Sequence, residues 1–483
     1  MGFVHLPVVC IRITVYEIPR FAGRFSAQMA RLLILLPLCA QAAQGSPVLA
    51  QGWNATAPRH LHLAYTEDPT GMLFSWTTGT PIYLPPAPSQ PNATSPAVRL
   101  GLASGAYTHT FTSTYSISYW AVGDTTHRVN ASGLLPRTRY FYVVGDAALG
   151  HWSAEATFES RPPTGADEVL DFIAYGDRGY WTGSSTVVQA AVAAEVARAG
   201  GRNYSFVLHC GDISYSGLES QADKVKDTQL WDLFMTEIEP IAKAAPYHLA
   251  AGNHDTLPGD SGVECGAVYL HRFKMPNQNE SDTDFSCATS EAARFWYSYA
   301  AGPVWLHTFS TEHSYANGSA QLAWIEADLA AAAAAKARGD VAWLIVQMHY
   351  PSYCSHSYNG GGGCITDAPR MRAQLEALWV ARGVDAVLFG HIHAAEVTWP
   401  VVGAAPTQLN FSNPAAPVHF LIGMAGAGYL GPWQAAQPAW SAWRNQVYGW
   451  TRWHVEGRKR LEFDFFAYTN ASAPNWSMAI TRD

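Results

Sequence analysis

The sequence predicts two domains in tandem, an amino-terminal all-β sandwich and a longer α/β domain. Three observations lead there. Short strand-like runs with alternating polarity fill residues 55–162. From residue 168 onward, apolar strand-like runs alternate with helix-forming stretches, the pattern of a mixed or parallel α/β sheet. Five short motifs rich in metal-ligand residue types, Y-G-D-R-G-Y, H-C-G-D-I-S-Y, A-G-N-H-D, Q-M-H-Y-P and F-G-H-I-H-A, punctuate that second region, and four follow apolar runs.

The first domain rests on the runs LHLAY, MLFSWTT, AVRLGLAS, YTHTFTSTYSI, THRVNASGL and RYFYVVG, separated by Gly, Pro and Asn. Their spacing and alternation fit a sandwich of fibronectin type III or immunoglobulin type. A Pro-rich loop lies around residues 81–96, and Glu159–Glu168 reads as the linker. In the second domain, residues 168–470, the runs DFIAY, YSFVLHC, AWLIVQ and DAVLF read as buried strands. Helices are expected within Thr186–Ala199, Gln221–Ala244, Gln321–Arg338 (ending at Gly339) and Met371–Arg382. Beyond residue 400 the chain returns to strands, which are expected to complete this domain's sheet.

The 483 residues carry a net charge of −8 and no basic run, which argues against a nucleic-acid partner. Met29 begins MARLLILLPLCAQAAQG, so residues 29–45 read as a secretory signal peptide, too short to span a bilayer. Residues 1–28 precede it, either as a stretch upstream of the true start at Met29 or as part of an unusually long signal. No other run reaches the ~18 apolar residues of a membrane span. N-glycosylation sequons start at Asn54, Asn92, Asn130, Asn203, Asn279, Asn317, Asn410, Asn470 and Asn475, in keeping with a secreted or vacuolar route. Removing the signal leaves five cysteines. Cys265 and Cys287 bracket one polar loop and Cys354 and Cys364 another, so each pair is expected to close its own loop, one of three connectivities. Cys210 ends an apolar run and reads as a buried free thiol.

The motifs carry the chemistry. Asp177, Asp212, Tyr215, Asn253, His254, His349, His391 and His393 place oxygen and imidazole donors where strands give way to loops, the edge at which ligands gather in α/β sheets. Such a donor set suits iron, zinc or manganese, and no cysteine is placed for a thiolate zinc site. One carboxylate, Asp212, can bridge two cations, and two metals about 3.5–4 Å apart suit in-line phosphoryl displacement. His391 and His393 flank one residue, so an extended strand would aim both the same way.

Taken together, D-R-G, G-D-I-S-Y, G-N-H-D, M-H-Y-P and G-H-I-H resemble the purple acid phosphatases of the calcineurin-like metallophosphoesterase superfamily. The likeness runs from about residue 58 to 468, taking in PRHLHLAYTEDPTGMLFSWTT and FWYSYAAGPVWLHTFSTEHSY. It implies a four-layer α/β/β/α catalytic domain (βαβαβ) behind the fibronectin-like domain, with residues 400–470 completing it. It further implies Asp177, Asp212, Tyr215 and His393 as ligands of Fe(III), and Asp212, Asn253, His349 and His391 as ligands of Fe(II), Zn(II) or Mn(II). His254 would contact substrate or its leaving group, and His356 corresponds approximately to a substrate-contacting histidine of plant members, or is a solvated loop histidine.

The sequence departs from the family at three places. Asp255 replaces the usual Glu, Ala-Ala-Glu-Val replaces the usual ending after His393, and Arg178, facing phosphate or solvent, replaces an apolar residue. The implied activity is acid hydrolysis of small phosphate monoesters by a metal-bridging hydroxide, with a phosphodiesterase or nucleotide pyrophosphatase as the alternative. Plant members point to a homodimer.

Overall fold

The computed structural model describes residues 57–79, 95–118, 124–180, 183–198, 203–216, 224–256, 266–276, 295–357, 363–428, 431–469 and 472–483. The signal peptide, the residues before it, the Pro-rich loop, Cys265, Cys287 and the sequons at Asn54, Asn92, Asn279 and Asn470 lie outside these.

The amino-terminal strands form two antiparallel sheets. Arg59–Tyr65, Met72–Gly79, Asp124–Ala131 and Ser116–Ile117 make one, while His109–Thr112, Pro96–Gly101, Arg139–Asp146 and His151–Trp152 make the other, with Ala156–Glu159 also paired to Arg139–Asp146. Every strand-like run of the sequence is a strand here. Alternation explains why: Phe74 of the first sheet points inward to meet Tyr142 and Phe158 of the second, ring centroids 5.0 and 5.5 Å apart. The linker is fastened rather than loose, because the buried Arg161 donates from Nε to the Ala300 carbonyl at 2.7 Å and from Nη1 to the Thr66 carbonyl at 3.3 Å.

The second domain holds two sheets face to face. One has six strands in the order Tyr247–Ala250, Phe206–Cys210, Val169–Tyr175, Gly449–Glu456, Arg460–Ala467 and Trp476–Thr481, the first three mutually parallel. The other has seven, Tyr297–Ala301, Val304–Thr308, Trp343–Gln347, Ala386–Phe389, Val418–Ile422, Ala395–Thr398 and Ser441–Asn445. Fully apolar strands such as Ala386–Phe389 are buried on both faces, as their unbroken hydrophobic runs require. Phe420 of the seven-stranded sheet meets Trp453 and Phe463 of the six-stranded one at 4.7 and 5.1 Å, and Gln347 Nε2 donates to the His209 carbonyl at 2.9 Å across the same seam. The strands after residue 400 complete both sheets rather than one.

The helices fall at Gly183–Val196, Lys224–Ala242 and Ala320–Arg338. The last is capped as its ends foretell: Ser319 Oγ accepts from the Leu322 amide at 3.1 Å, and Gly339 takes the left-handed conformation that stops it. The expected helix at Met371 instead begins at Gly363, with two wider π-helical turns at Gly363–Asp367 and Arg372–Glu376 before Ala377–Arg382. Cys354 is bonded to Cys364, whose Cα atoms are 5.2 Å apart, and Cys210 is a buried free thiol. Among the described residues no helix is long and apolar enough to cross a membrane.

The sandwich buries His127 beside Trp76, with Thr78 Oγ1 at 2.7 Å and Ser116 Oγ at 2.8 Å from its two ring nitrogens. Burial lowers its pKa from 6.5 to about 4. Below about pH 6.5 the unfolded chain takes up a proton that the folded chain refuses. The stability contributed by neutral His127 is therefore complete above that pH and declines as pH falls towards 4. Substituting His127→Gln should flatten the fall of unfolding free energy between pH 6.5 and 4.5 by up to about 1.4 kcal/mol per pH unit. Urea titrations at several pH values would read this, and an unchanged slope would contradict it.

Candidate metal centre

Three parallel strands of one sheet and two of the other deliver the motif residues to one place. Asp177 follows Val169–Tyr175, Asp212 and Tyr215 follow Phe206–Cys210, and Asn253 opens a short helix after Tyr247–Ala250. From the facing sheet, His349 follows Trp343–Gln347, and His391 and His393 follow Ala386–Phe389. The turns are tight. Asp177, Asp212, Tyr215 and His391 have φ of 57, 52, 55 and 70°, half of the eight non-glycine residues with positive φ among those described. Each such conformation costs an L-residue roughly 1–2 kcal/mol, so the packing around the centre enforces it.

The side chains form two touching groups. In one, the Tyr215 hydroxyl lies 3.1 Å from Asp177 Oδ1 and 2.8 Å from His393 Nε2. In the other, Asn253 Oδ1 is met by His349 Nε2 at 3.1 Å and His391 Nδ1 at 3.0 Å, and His349 Nε2 is 3.2 Å from Asp212 Oδ1. Ligand atoms of Asp212, His349 and His391 all lie within 4.8 Å of one another, and all three residues are buried. The His391 amide donates to both Asp177 oxygens, at 2.9 and 2.8 Å, tying the groups together.

Proton counting shows that this set fits cations. The His349 ring has Nδ1 2.9 Å from the Cys210 carbonyl, a partner that can only accept. With Nδ1 protonated, neutral His349 turns a lone pair on Nε2 towards the Asn253 and Asp212 oxygens, which are also acceptors. Only a positive charge between them reconciles the three. Burial opposes the imidazolium, but the Asp212 carboxylate overrides it and raises His349 to about 10. In the first group, the Tyr215 hydroxyl donates to Asp177 Oδ1, and burial with the neighbouring Asp177 and Asp212 pushes the Tyr215 phenol well above its ordinary value. A metal ion would supply the positive charge that the buried acceptors call for, and second partners such as the Cys210 carbonyl fix the ligating nitrogen. Close approach also demands glycine: a Cβ at Gly390 would collide with Asp177 Oδ2 and the Cys210 carbonyl, and one at Gly252 with Asp212.

The other expected residues divide. His254 stands at the mouth, its side chain 18% exposed, its amide donating to Asp212 Oδ1 at 2.9 Å and its ring 4.4 Å from that of Tyr215. Asp255 lies behind, accepting from the Ile213 and Gly252 amides at 3.0 and 2.9 Å. Arg178 faces neither phosphate nor solvent. The turn at Asp177 sends it inward over Phe234, where it pairs with Glu237. Nor is His356 a solvated loop residue, since it is buried against Trp433 with Nε2 2.6 Å from the Gly431 carbonyl. His391 and His393 do not lie on a strand. They occupy a bend opened by the positive φ of His391, which sends one ring to each group.

Sequence reasoning passed over the strand Tyr247–Ala250, because YHLA is short and half polar. It also passed over Tyr350, whose ring lies edge-on to His391 at 4.3 Å, although Tyr350 is part of the Q-M-H-Y-P motif.

A two-sheet α/β sandwich with carboxylates, amide and imidazoles at facing strand ends defines a metallophosphoesterase. The description "Purple acid Phosphatase, N-terminal domain" matches residues 58–160, "Calcineurin-like phosphoesterase" matches 141–395, and "Iron/zinc purple acid phosphatase-like protein C" matches 416–473. The chain belongs to the calcineurin-like phosphoesterases and, within them, to the purple acid phosphatase family. Human "Acid phosphatase type 7" is 29% identical over 88% of this chain and 89% of its own length. "Probable inactive purple acid phosphatase 1" of Arabidopsis thaliana is 29% identical over 85% of this chain and 67% of its own. "Nucleotide pyrophosphatase/phosphodiesterase" of Hordeum vulgare is 27% identical over 69% and 88%. Among solved structures, the purple acid phosphatase PPD1 of yellow lupin superposes with a TM-score of 0.75 at 23% identity, covering 89% of this chain and 75% of that one.

The substitution Gly390→Ala should displace Asp177 and reduce bound metal to less than about one-tenth of the native content, on the rule that outer contacts alone are worth 10–100-fold in metal affinity. Elemental analysis after dialysis would measure it, with circular dichroism to confirm the fold. Native metal content would contradict the assignment.

Proposed function

We propose that this chain is a secreted or vacuolar acid phosphatase that hydrolyses phosphate monoesters at a binuclear Fe(III)–M(II) centre, M being iron, zinc or manganese. Asp177, Asp212, Tyr215 and His393 would hold the first ion, and Asp212, Asn253, His349 and His391 the second. The observation that carries this reading is the shortage of positive charge in the buried group of Asp212, Asn253, His349 and His391, which adjoins the group of Asp177, Tyr215 and His393. Two bound cations supply an acidified water and neutralise the phosphate oxygens.

The protein's own residues do the rest. Strand-end packing fixes the donors in place before substrate arrives, so little reorganisation is needed during reaction. The Cys210 carbonyl holds the His349 tautomer. His254, at the mouth beside Asp212, is placed to hand a proton to the departing alcohol oxygen. His356 is buried against Trp433 and supports the loop after the Q-M-H-Y-P motif. The secretory reading is supported by the amino-terminal signal-like run and by the exposure of Asn130, Asn203, Asn317, Asn410 and Asn475, all five sequon asparagines among the described residues. Phosphodiester or nucleotide pyrophosphate hydrolysis is the second reading, favoured by the likeness to the Hordeum vulgare protein.

A visible spectrum with metal analysis tests the centre. The native protein should absorb as a tyrosinate–Fe(III) complex, and Tyr215→Phe should lose that band while keeping its second metal. A colourless protein with two zinc or manganese ions would remove the iron assignment. Asp212→Ala should lower kcat for monoesters by at least about a thousandfold, the scale of removing a principal electrostatic group, with the fold retained. Near-native turnover would refute the site.

A further inference from the structure

Beside the metal centre lies a cavity of about 630 Å³, a size suited to a small organic ligand. It joins the centre through Tyr350, which lines the cavity on one side and lies against His391 on the other. The Tyr350 amide is 3.2 Å from Thr311 Oγ1, which donates in turn to Glu312 at 2.9 Å, so this wall is held to the strand end that bears His349. The cavity therefore adjoins the metal centre across the Tyr350 ring.

The lining has a distinct chemical character. Its carboxyl groups are Glu312 and Asp367, and its one guanidinium, Arg370, has Asp367 3.6 Å away. His313, stacked on Phe295 and bonded to Ser310 Oγ at 2.8 Å, is lowered to about 4 by burial and is uncharged above that pH. Burial raises the Glu312 carboxyl to about 8, and Asp367 stands beside Arg370, so the lining holds no cluster of Arg and Lys of the kind that grips a second phosphate. Hydroxyls from Ser314, Tyr315 and Thr366 offer both donors and acceptors, and the tyrosine rings offer apolar faces. That combination matches an alcohol with many hydroxyls and no charge.

We propose that this cavity is the subsite for the alcohol portion of the substrate, and that it takes a neutral polyhydroxylated group, such as a sugar or polyol, while rejecting one that carries further phosphate. The proposal rests on the monoesterase reading above and specifies its substrate class.

Binding of non-hydrolysable phosphonates to the metal-loaded full chain tests it, using calorimetry. The phosphonate analogue of glucose 6-phosphate should bind at least about tenfold more tightly than methylphosphonate. The bisphosphonate analogue of fructose 1,6-bisphosphate should bind more weakly than the glucose analogue. Gln374→Trp, which fills the cavity from its helical wall, should bring the glucose-to-methyl ratio below about threefold. A general loss of structure would lower both affinities and keep the ratio, so Tyr315→Ala serves as a second variant expected to lower it. Equal affinities in the native protein, a ratio preserved in both variants, or tighter binding of the bisphosphonate would each overturn the proposal. If the preference is found but neither glucose 6-phosphate nor methyl phosphate is hydrolysed, the subsite stands and the monoesterase reading falls. Hydrolysis of both without any preference gives the reverse.

Discussion

Two carboxylates with almost no solvent contact, Asp177 and Asp212, lie within one cluster at the seam between two sheets. Removing an unpaired carboxylate from water costs several kcal/mol even after relaxation, and two together aggravate it. Much of the surrounding architecture answers this constraint. Backbone amides of His391 and His254 point at the carboxylates, and imidazoles from the opposite sheet face them. The turns bearing the acids adopt left-handed conformations that the chain would otherwise avoid. A site so short of positive charge suits bound cations. The two sheets are thus joined both by an apolar seam and by the demand for compensation at its edge.

The amino-terminal sandwich is separate in sequence but not in packing. Arg161 spans from the linker to backbone carbonyls on both sides, and Arg128 of the sandwich donates to the Leu270 and His271 carbonyls. Buried guanidinium groups with several carbonyl acceptors make a directional joint, in which losing the arginine strands the carbonyls as well. The sandwich therefore acts as a rigid shoulder for the helix Ala267–Arg272, not as a tethered module.

What could be read from the sequence follows from where the information is local. Strand runs of the sandwich were legible because alternation is a property of neighbouring residues. The donor residues were legible because each stands directly after an apolar run. Arg178 was misread because its environment is set by Phe234 and Glu237, more than fifty residues away. His356 looked like a solvated loop residue because Gly-rich surroundings suggest solvent, while Trp433 and Gly431, which bury it, come late in the chain. The paired aim of His391 and His393 was inferred from strand geometry. The bend that replaces the strand depends on Asp177 accepting from the His391 amide, a contact 214 positions apart. The cavity beside Tyr350 was invisible for the same reason, since its walls come from three separated segments.

The strand Gly449–Glu456 lies in the middle of its sheet, paired with Val169–Tyr175 on one edge and Arg460–Ala467 on the other. During synthesis the earlier strand must therefore wait while roughly the next 280 residues emerge. Until then it presents an open hydrogen-bonding edge and an apolar face. Long-range pairing of this kind slows folding and exposes surfaces that aggregate. The nascent chain thus passes through a prolonged stage with its two sheets incomplete, in which protection by chaperones would govern yield more than the stability of the finished molecule does.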